Sequence, residues 1–210
     1  MRLIVIALAI AFSAFGEVPL YFEPNIGQAP PDVRYLARGG GVTLFITARD
    51  TLLATQSGAV RLRMHGARPA RTEGLDPLFG VSNYFRGNDR SKWRTGIPHY
   101  ARVAARGVYP GIDLVFYGHN RRLEYDFVVA PGANPDVIQL AYDGVTSIDL
   151  DAAGDVVLHS RAGKLRQRKP RVYQEIDGRP VEIEAHYRIT PARRVAFELA
   201  RYDRARPLVI

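Results

Sequence analysis

Apolar and polar residues alternate most clearly in two neighbouring stretches of the chain. Every second residue is apolar from Ile112 to Phe116 and again from Leu123 to Val129. Side chains point to opposite faces along a strand, so a period of two gives each stretch one apolar face. Residues 118–120 lie between the two stretches and begin with glycine, which favours a chain reversal. The pattern predicts an antiparallel hairpin whose apolar face packs against a second layer.

The same pattern recurs along the rest of the chain, and turn residues separate the strands at intervals of about 8 to 12 residues. No apolar stripe of helical period is present outside the N-terminus. We therefore predict an all-β, antiparallel, β-sandwich-like fold, with a division into two packed β subdomains near residues 130–136 as an alternative. Residues 66–77 contain two prolines and are predicted to be a loop. The remaining predicted strands are 33–36, 42–47, 51–56, 60–65, 97–103, 137–142, 147–150, 156–159, 164–173, 181–189 and 195–199.

The N-terminus has the layout of a secretory signal. Met1-Arg2 is positively charged, residues 3–12 are all apolar, and the two positions that a signal peptidase inspects are the small residues Ala14 and Gly16. The apolar run is too short to span a bilayer in the mature protein. We predict a signal peptide over residues 1–16, a mature β-rich domain over 17–210 without an integral membrane segment, and export to the periplasm, the cell surface or the medium. The alternatives are an N-terminal strand or a retained anchor.

Composition excludes several classes of function. The chain contains no cysteine, which rules out thiolate zinc sites and cysteine nucleophiles. The formal net charge is +8, but the arginines are scattered and no groove-reading motif is present. We therefore predict no nucleic-acid partner. A basic surface of this kind attracts anionic lipid or polysaccharide weakly.

Two acidic residues form the best candidate for catalysis. Glu124 and Asp126 are two positions apart on a predicted strand and share a face. Paired carboxylates can hydrolyse glycosides, so a polysaccharide hydrolase that uses this pair or Asp113 is one hypothesis. The simpler interpretation is a charged strand face that Arg121 and Arg122 neutralise.

Other catalytic and metal-binding patterns are incomplete. Asp149, Asp151 and Asp155 surround a glycine as in a calcium loop, but alanines occupy the middle and the distal acid is missing. A hairpin turn over residues 151–155 explains them more simply. No GxSxG motif is present, and the histidines lack metal-ligand spacing. We predict no catalytic residue, no metal and no cofactor. The histidines are His65, His99, His119, His159 and His186.

Residues 83–93 form the most plausible binding feature, because they mix aromatic rings with amides and an acid. Such a mixture stacks on a sugar ring and forms hydrogen bonds to its hydroxyls. The alternative is a loop whose aromatic residues anchor it to the core. The predicted ligand-binding residues are Asn83, Tyr84, Asn88, Asp89 and Trp93.

Several motifs, taken together, resemble a known family. In chain order they are FEPNIGQ (22–28), GVTLFIT (41–47), NYFRGND (83–89), WRTGIPHY (93–100), VYPGIDLVFYG (108–118), LEYDFVVAPGANP (123–135) and KPRVYQ (169–174). The set is similar to the N-terminal domain of bacterial exported proteins that carry seven-bladed β-propeller-type (SBBP) repeats, over residues 21–210. The resemblance implies a β-rich extracytoplasmic module of unassigned function that precedes propeller repeats. Because such proteins continue into their repeats, we expect a standalone module or a fragment.

These observations predict a non-enzymatic exported structural or interaction module. Its partners would be other extracytoplasmic domains or cell-surface glycans. The alternatives are a carbohydrate-binding module that uses residues 83–93 and, less favoured by the residues, the polysaccharide hydrolase.

Overall fold

The structure is a computed structural model that describes residues 9–10, 20–39, 41–119 and 122–210. Within these residues the chain forms nineteen β-strands, two 3-10 turns (Arg90–Lys92 and Pro135–Val137) and no α-helix, which confirms the all-β prediction. The predicted leader lies outside the described residues except for Ala9–Ile10. The strands are β1 (Ala9–Ile10), β2 (Glu23–Pro24), β3 (Val33–Gly39), β4 (Val42–Thr47), β5 (Asp50–Ala54), β6 (Ala59–Met64), β7 (Arg71–Tyr84), β8 (Arg94–Tyr109), β9 (Ile112–His119), β10 (Arg122–Val129), β11 (Gln139–Asp143), β12 (Val145–Leu150), β13 (Val156–Ser160), β14 (Gly163–Gln167), β15 (Val172–Ile176), β16 (Arg179–Ile183), β17 (Ala185–Ile189), β18 (Val195–Leu199) and β19 (Leu208–Val209).

The strands form two antiparallel sheets in a sandwich-like arrangement. One sheet, which we term sheet A, has the order β12-β13-β14-β1-β10-β19-β15-β16, and β9, β8 and β7 extend it from β10. The other, sheet B, has the order β17-β18-β11-β6-β5-β4-β3-β2. The chain crosses between the sheets several times. Residues on both sides of 130–136 contribute to a single hydrophobic core, and a subdivision there stays a prediction.

The predicted central hairpin is confirmed and is slightly longer than expected. β9 and β10 pair in register from Leu123 opposite Gly118 to Val129 opposite Ile112. The apolar face of β10 lies in the core, where the Phe127 ring is completely buried. At Gly118, an added Cβ would lie only 2.7 Å from the Leu20 Cβ, so the chain can pass close by only because this residue is glycine.

Three sequence predictions of strand boundaries were wrong. Residues 66–77 were expected to be a loop, but β7 begins at Arg71. Residues 164–173 form two strands, β14 and β15, rather than one. The predicted strand over 181–189 also divides: β16 belongs to sheet A, whereas β17 belongs to sheet B. Alternation continues across the junction, so the pattern does not show that the chain changes sheets.

The hairpin of β7 and β8 is the longest element, with strands of 14 and 16 residues. Its root lies in sheet A, where β8 pairs with β9 between Arg102 and Ala105. Beyond the root, a bridge between Phe22 and Tyr100 connects the hairpin to the N-terminal segment. We term residues 76–100 the arm. Among the described residues, no helix has the length and apolar character needed to cross a membrane.

Candidate functional site

The base of the arm is fastened by a buried carboxylate. Glu23, on β2, accepts hydrogen bonds from the Ser82 hydroxyl at 2.6 Å and from the Tyr84 hydroxyl at 2.6 Å. The Arg38 guanidinium lies 3.7 Å from the same carboxylate and also donates to the Tyr84 hydroxyl. Burial, followed by the hydrogen bond to Glu23, raises the pKa of Tyr84 to about 12. Because the buried charge has several polar partners, the network fixes the arm to β2 and β3.

A serine, a histidine and an acid, the residue types of a nucleophilic triad, meet here as Ser82, His99 and Glu23. Their hydrogen bonds run in a different order from those of a triad. The Ser82 Oγ lies 2.8 Å from the His99 Nε2, and its proton is donated to Glu23. The histidine nitrogen must then donate to the serine oxygen, so it cannot accept the serine proton as a general base. Tyr21 stacks on the His99 ring with 3.8 Å between the ring centroids. This arrangement supports anchoring of the arm.

The five predicted ligand-binding residues lie on the arm but do not act as one group. Tyr84 bonds Glu23 at the base, whereas the Asn83 Oδ1 accepts the Gly96 amide at 2.9 Å across the hairpin. Asp89 accepts the backbone amide of Ser91 at 3.0 Å and its hydroxyl at 2.7 Å. The Ser91 bonds lower the pKa of Asp89.

At the tip of the arm, Trp93 is held by three contacts. Its Nε1 donates to the Gly87 carbonyl at 3.1 Å, and its ring meets Phe85 edge-to-face at 5.0 Å. The Arg90 guanidinium lies over the indole at 5.4 Å. Within the described part of the chain, the Asn88 side chain forms no hydrogen bond. Most of the polar atoms proposed to bind a sugar thus form hydrogen bonds within the protein. The sugar site stays a prediction.

The outer part of the arm exposes large apolar side chains. Phe79 and Gly80 form a bulge in β7, because Leu78 pairs with His99 while the next paired residue, Val81, lies opposite Pro98. The Phe79 ring has a relative exposure of 107 %, and Phe85 is 62 % exposed. Leu78 and Val81 are exposed as well. Several large apolar residues exposed on one element are typical of an interaction surface.

Glu124 and Asp126 lie on the outer face of sheet A, away from the main core. They are nevertheless only 3 % and 6 % exposed. Tyr117, part of a small apolar cluster on that face, donates to the Asp126 Oδ1 at 2.9 Å. Burial is the main cause, and the neighbouring Asp126 charge the second, that together raise the pKa of Glu124 to about 7. Burial likewise raises the pKa of Asp126 to about 7, although the Tyr117 bond opposes the shift.

Asp113, the third acid of the hydrolase hypothesis, is held by other groups. Its carboxylate forms a 2.8 Å ion pair with Arg106 and accepts the Gly107 amide at 2.7 Å. These contacts brace the turn between β8 and β9.

Two of the three aspartates of the calcium hypothesis, Asp151 and Asp155, organise the turn between β12 and β13, as the simpler interpretation predicted. Asp149 lies on β12 and accepts the Ser147 hydroxyl at 3.0 Å. Asp151 accepts the backbone amides of Ala153 at 2.9 Å and Asp155 at 3.0 Å. The amide of Asp155 is the main reason why the pKa of Asp151 is lowered. Arg166 forms ion pairs with both aspartates. Among the described residues, no three or more histidine or acidic side chains are grouped so that they could hold a metal ion.

Glu23, Arg38, Ser82 and His99 were not identified from the sequence. The period of two places Ser82 and Tyr84 on one strand face, but their partner lies far away in sequence. The available signal was that Glu23 is part of the FEPNIGQ motif and His99 part of the WRTGIPHY motif.

Comparison with known proteins gives one match. Residues 22–210 match a family described as a domain of unknown function, DUF7948. No curated protein and no solved structure matches the chain. The match covers nearly the same residues as the resemblance noted in the sequence, but it provides no link to SBBP repeat proteins.

Proposed function

We propose that this chain, which belongs to the DUF7948 family of domains of unknown function, is an exported, non-enzymatic interaction module that docks another extracytoplasmic protein domain through its arm. The observation that carries the proposal is the fully exposed ring of Phe79 on the β7 bulge, flanked by Leu78 and Val81. Bulges re-aim side chains and often lie at functional positions. An aromatic ring presented in this way contributes large contact area at little cost in conformational entropy.

The charge of the tip indicates the chemistry of the partner. Arg86, Arg90, Lys92 and Arg94 lie within nine residues, and Asp89 is the only acid among them. We expect the partner to offer an apolar pocket for Phe79 and carboxylates around its rim. Charges at a rim mainly raise the association rate and select the partner, while the buried aromatic anchor supplies most of the affinity.

Site-specific photo-crosslinking in the exporting bacterium tests the proposal. A photoreactive phenylalanine analogue replaces Phe79 in one strain and Val181 in a control strain, since Val181 is an exposed apolar residue on β16. We expect a discrete crosslinked protein only from position 79, with the crosslink mapping to an acidic surface. Equal products from both positions, or none from position 79, would contradict docking through the arm.

A charge-reversal variant sharpens the test. Arg90→Glu combined with Lys92→Glu should weaken the crosslink from position 79 without unfolding the chain, because both side chains are exposed. An undiminished crosslink would show that the rim charges do not select the partner.

Binding of a cell-surface glycan is the second candidate, and the exposed Phe85 ring favours it. A glycan array separates the two candidates. Retention of a sugar by the parent chain and by Phe79→Ser, with loss in Phe85→Ala, would favour the glycan. If the parent chain and both variants bind no glycan, docking of a protein is the better proposal.

Export is supported by the charged start, the apolar run and the small residues Ala14 and Gly16. Mass spectrometry of the exported protein should find Glu17 as the first residue. An intact N-terminus that begins at Met1 would contradict cleavage. A position ahead of propeller repeats is supported by the sequence resemblance alone.

A further inference from the structure

A second surface feature, separate from the arm, is an open cleft of about 680 Å³. Three separate segments contribute arginines to it: the turn between β4 and β5 (Arg49), the end of β6 (Arg63), and the turn between β17 and β18 (Arg193 and Arg194). His65 lines the same cleft. Its volume is in the range of ligand-binding clefts.

The positive charge of the cleft is only partly balanced. The two carboxylates in its wall are already paired, Asp50 with Arg61 at 2.7 Å and Asp143 with Arg63 at 2.6 Å. The other three arginines of the cleft have no carboxylate partner among the described residues. Three unpaired guanidinium groups in one concave surface favour an anionic ligand, because each presents a fixed fork of donors that matches a carboxylate.

Two of these three arginines are held in place by neutral acceptors. Arg193 donates to the Thr146 carbonyl at 3.0 Å, and Arg194 donates to the Gln139 side-chain oxygen at 3.2 Å. Each of these bonds occupies one donor and leaves the remaining N–H groups of the guanidinium for a ligand. Arg49 forms no side-chain hydrogen bond within the described ranges.

The backbone of Arg193 is strained. Its φ is 56°, in the left-handed region that glycine adopts most easily. The turn around it is closed by the Arg193 amide, which donates to the Thr190 carbonyl at 2.9 Å, and by the Thr190 amide, which donates to the Arg194 carbonyl at 2.8 Å. A bulky residue at such a position suggests that its side chain has a use.

We propose that this cleft binds an anionic oligosaccharide through guanidinium–carboxylate pairs with Arg49, Arg193 and Arg194. The arginines come from separate segments, which suits a ligand with several spaced charges better than one compact anion. Apolar side chains of Val145 and Ile148 in the wall provide a surface for the faces of the sugar rings. The site does not depend on the arm, so it goes beyond the proposed docking function.

Calorimetric titration of the purified chain with a uronate tetrasaccharide tests the proposal, with the neutral tetrasaccharide and inorganic phosphate as comparison ligands. We expect binding of the uronate only, weakened by salt. The double variant Arg49→Gln, Arg194→Gln should lower the affinity by about tenfold or more. The matched control is Arg188→Gln, which removes an exposed arginine paired with Glu198 outside the cleft wall. Equal binding of the neutral sugar, stronger binding of phosphate, or the same loss in the control would overturn the proposal.

Arg193→Gly provides a second test, in which a weaker affinity cannot be explained by unfolding of the variant. Glycine removes the backbone strain, so we expect a higher melting temperature together with a weaker affinity for the uronate. An unchanged affinity in this variant would exclude a role for the Arg193 side chain in the site.

Discussion

The buried acids on the outer face of sheet A make the stability of the protein depend on pH in an unusual direction. In the folded chain the pKa of Asp126 is about 7, compared with an ordinary value of 3.8. The pKa of Glu124 is also about 7, compared with 4.5. Between about pH 4 and about pH 7 the folded state therefore binds more protons than the unfolded state. The contribution of these two acids to stability therefore falls as the pH rises through this window and stays lower above it.

The magnitude follows from the difference between the pKa of Asp126 in the folded chain, about 7, and its ordinary value of 3.8. At 1.36 kcal/mol per unit, the upper limit is about 4 kcal/mol for ionising this carboxyl in the folded state. The surroundings relax around an ionised group and lower this cost, so we expect about 2 kcal/mol. Asp126→Asn keeps an acceptor for the Tyr117 hydroxyl and cannot ionise. It should therefore be close to neutral near pH 5 and stabilise the protein by about 2 kcal/mol near pH 8.

Urea unfolding followed by far-ultraviolet circular dichroism, at several pH values from about 5 to about 8, measures these differences. Comparing variant and parent at each pH isolates the contribution of Asp126 from that of the other groups. The control is Glu198→Gln, because Glu198 is an exposed acid whose loss should give a difference that does not change with pH. An Asp126→Asn effect that is independent of pH, or that stabilises the protein more near pH 5 than near pH 8, would refute the reasoning.

Glu124→Gln should raise the free energy of unfolding near pH 8 by less than Asp126→Asn does. The Glu124 Oε2 is buried without a hydrogen-bond partner in the described structure, and the amide that replaces it would also lack one. The same variant addresses the hydrolase hypothesis, because a raised pKa also suits general acid–base catalysis. Loss of polysaccharide turnover in a folded Glu124→Gln chain would favour an enzyme. Stabilisation without any turnover in the parent would favour a structural pair.

Three further predictions concern the arm and the sheet that supports it. Phe79→Ser should leave the free energy of unfolding within about 0.5 kcal/mol of the parent, because the exposed ring packs against nothing, and a larger loss in chemical denaturation would show that it is part of the core. Tyr84→Phe should cost about 1–3 kcal/mol in the same assay, because it leaves the buried Glu23 carboxylate short of one donor; an unchanged stability would contradict the anchoring role of the network. In hydrogen exchange, amides around Leu123–Glu124 and Gln167 should exchange faster in a chain without residues 1–16 than in the intact chain, because β1 pairs with both places. The Phe127 amide, which donates to the Ile210 carbonyl, is the control and should not change. Equal protection at Leu123–Glu124 in the two chains would argue against the pairing with β1.

The sequence predicted the strands best where turn residues mark both ends. Residues 42–47 and 195–199 were located without error, because glycines precede the first strand and the second follows a polar turn. The prediction failed at 181–189, because a period of two continues through Glu184 while the chain passes from one sheet to the other. Alternation reports which face a side chain points to and contains no information about which sheet the strand joins.

The candidate site was predicted only in part, for a related reason. The mixture of rings and polar residues at 83–93 marked a segment that lies on the arm, and its role as a binding site stays a prediction. Its anchor, Glu23, lies 61 residues from Tyr84 in sequence, and no local pattern connects them. The outer face of β10 presents the same difficulty. Glu124 and Asp126 share a face as predicted, but the sequence could not show that this face is buried as well.

The shape of the arm indicates how it would meet a partner. Among the described strands, β7 pairs with β8 alone, so its other edge offers backbone groups that could pair with a foreign strand. That edge is interrupted by Pro77, which lacks an amide proton, by Asp76 with a φ of 53°, and by the bulge at Phe79–Gly80. Each of these features disfavours the addition of a strand. The arm is thus poorly suited to pairing through its backbone, while its apolar side chains remain accessible. Any partner should therefore recognise the Phe79 ring and its neighbours rather than extend sheet A, and a complex in which a partner strand pairs with β7 would contradict this conclusion.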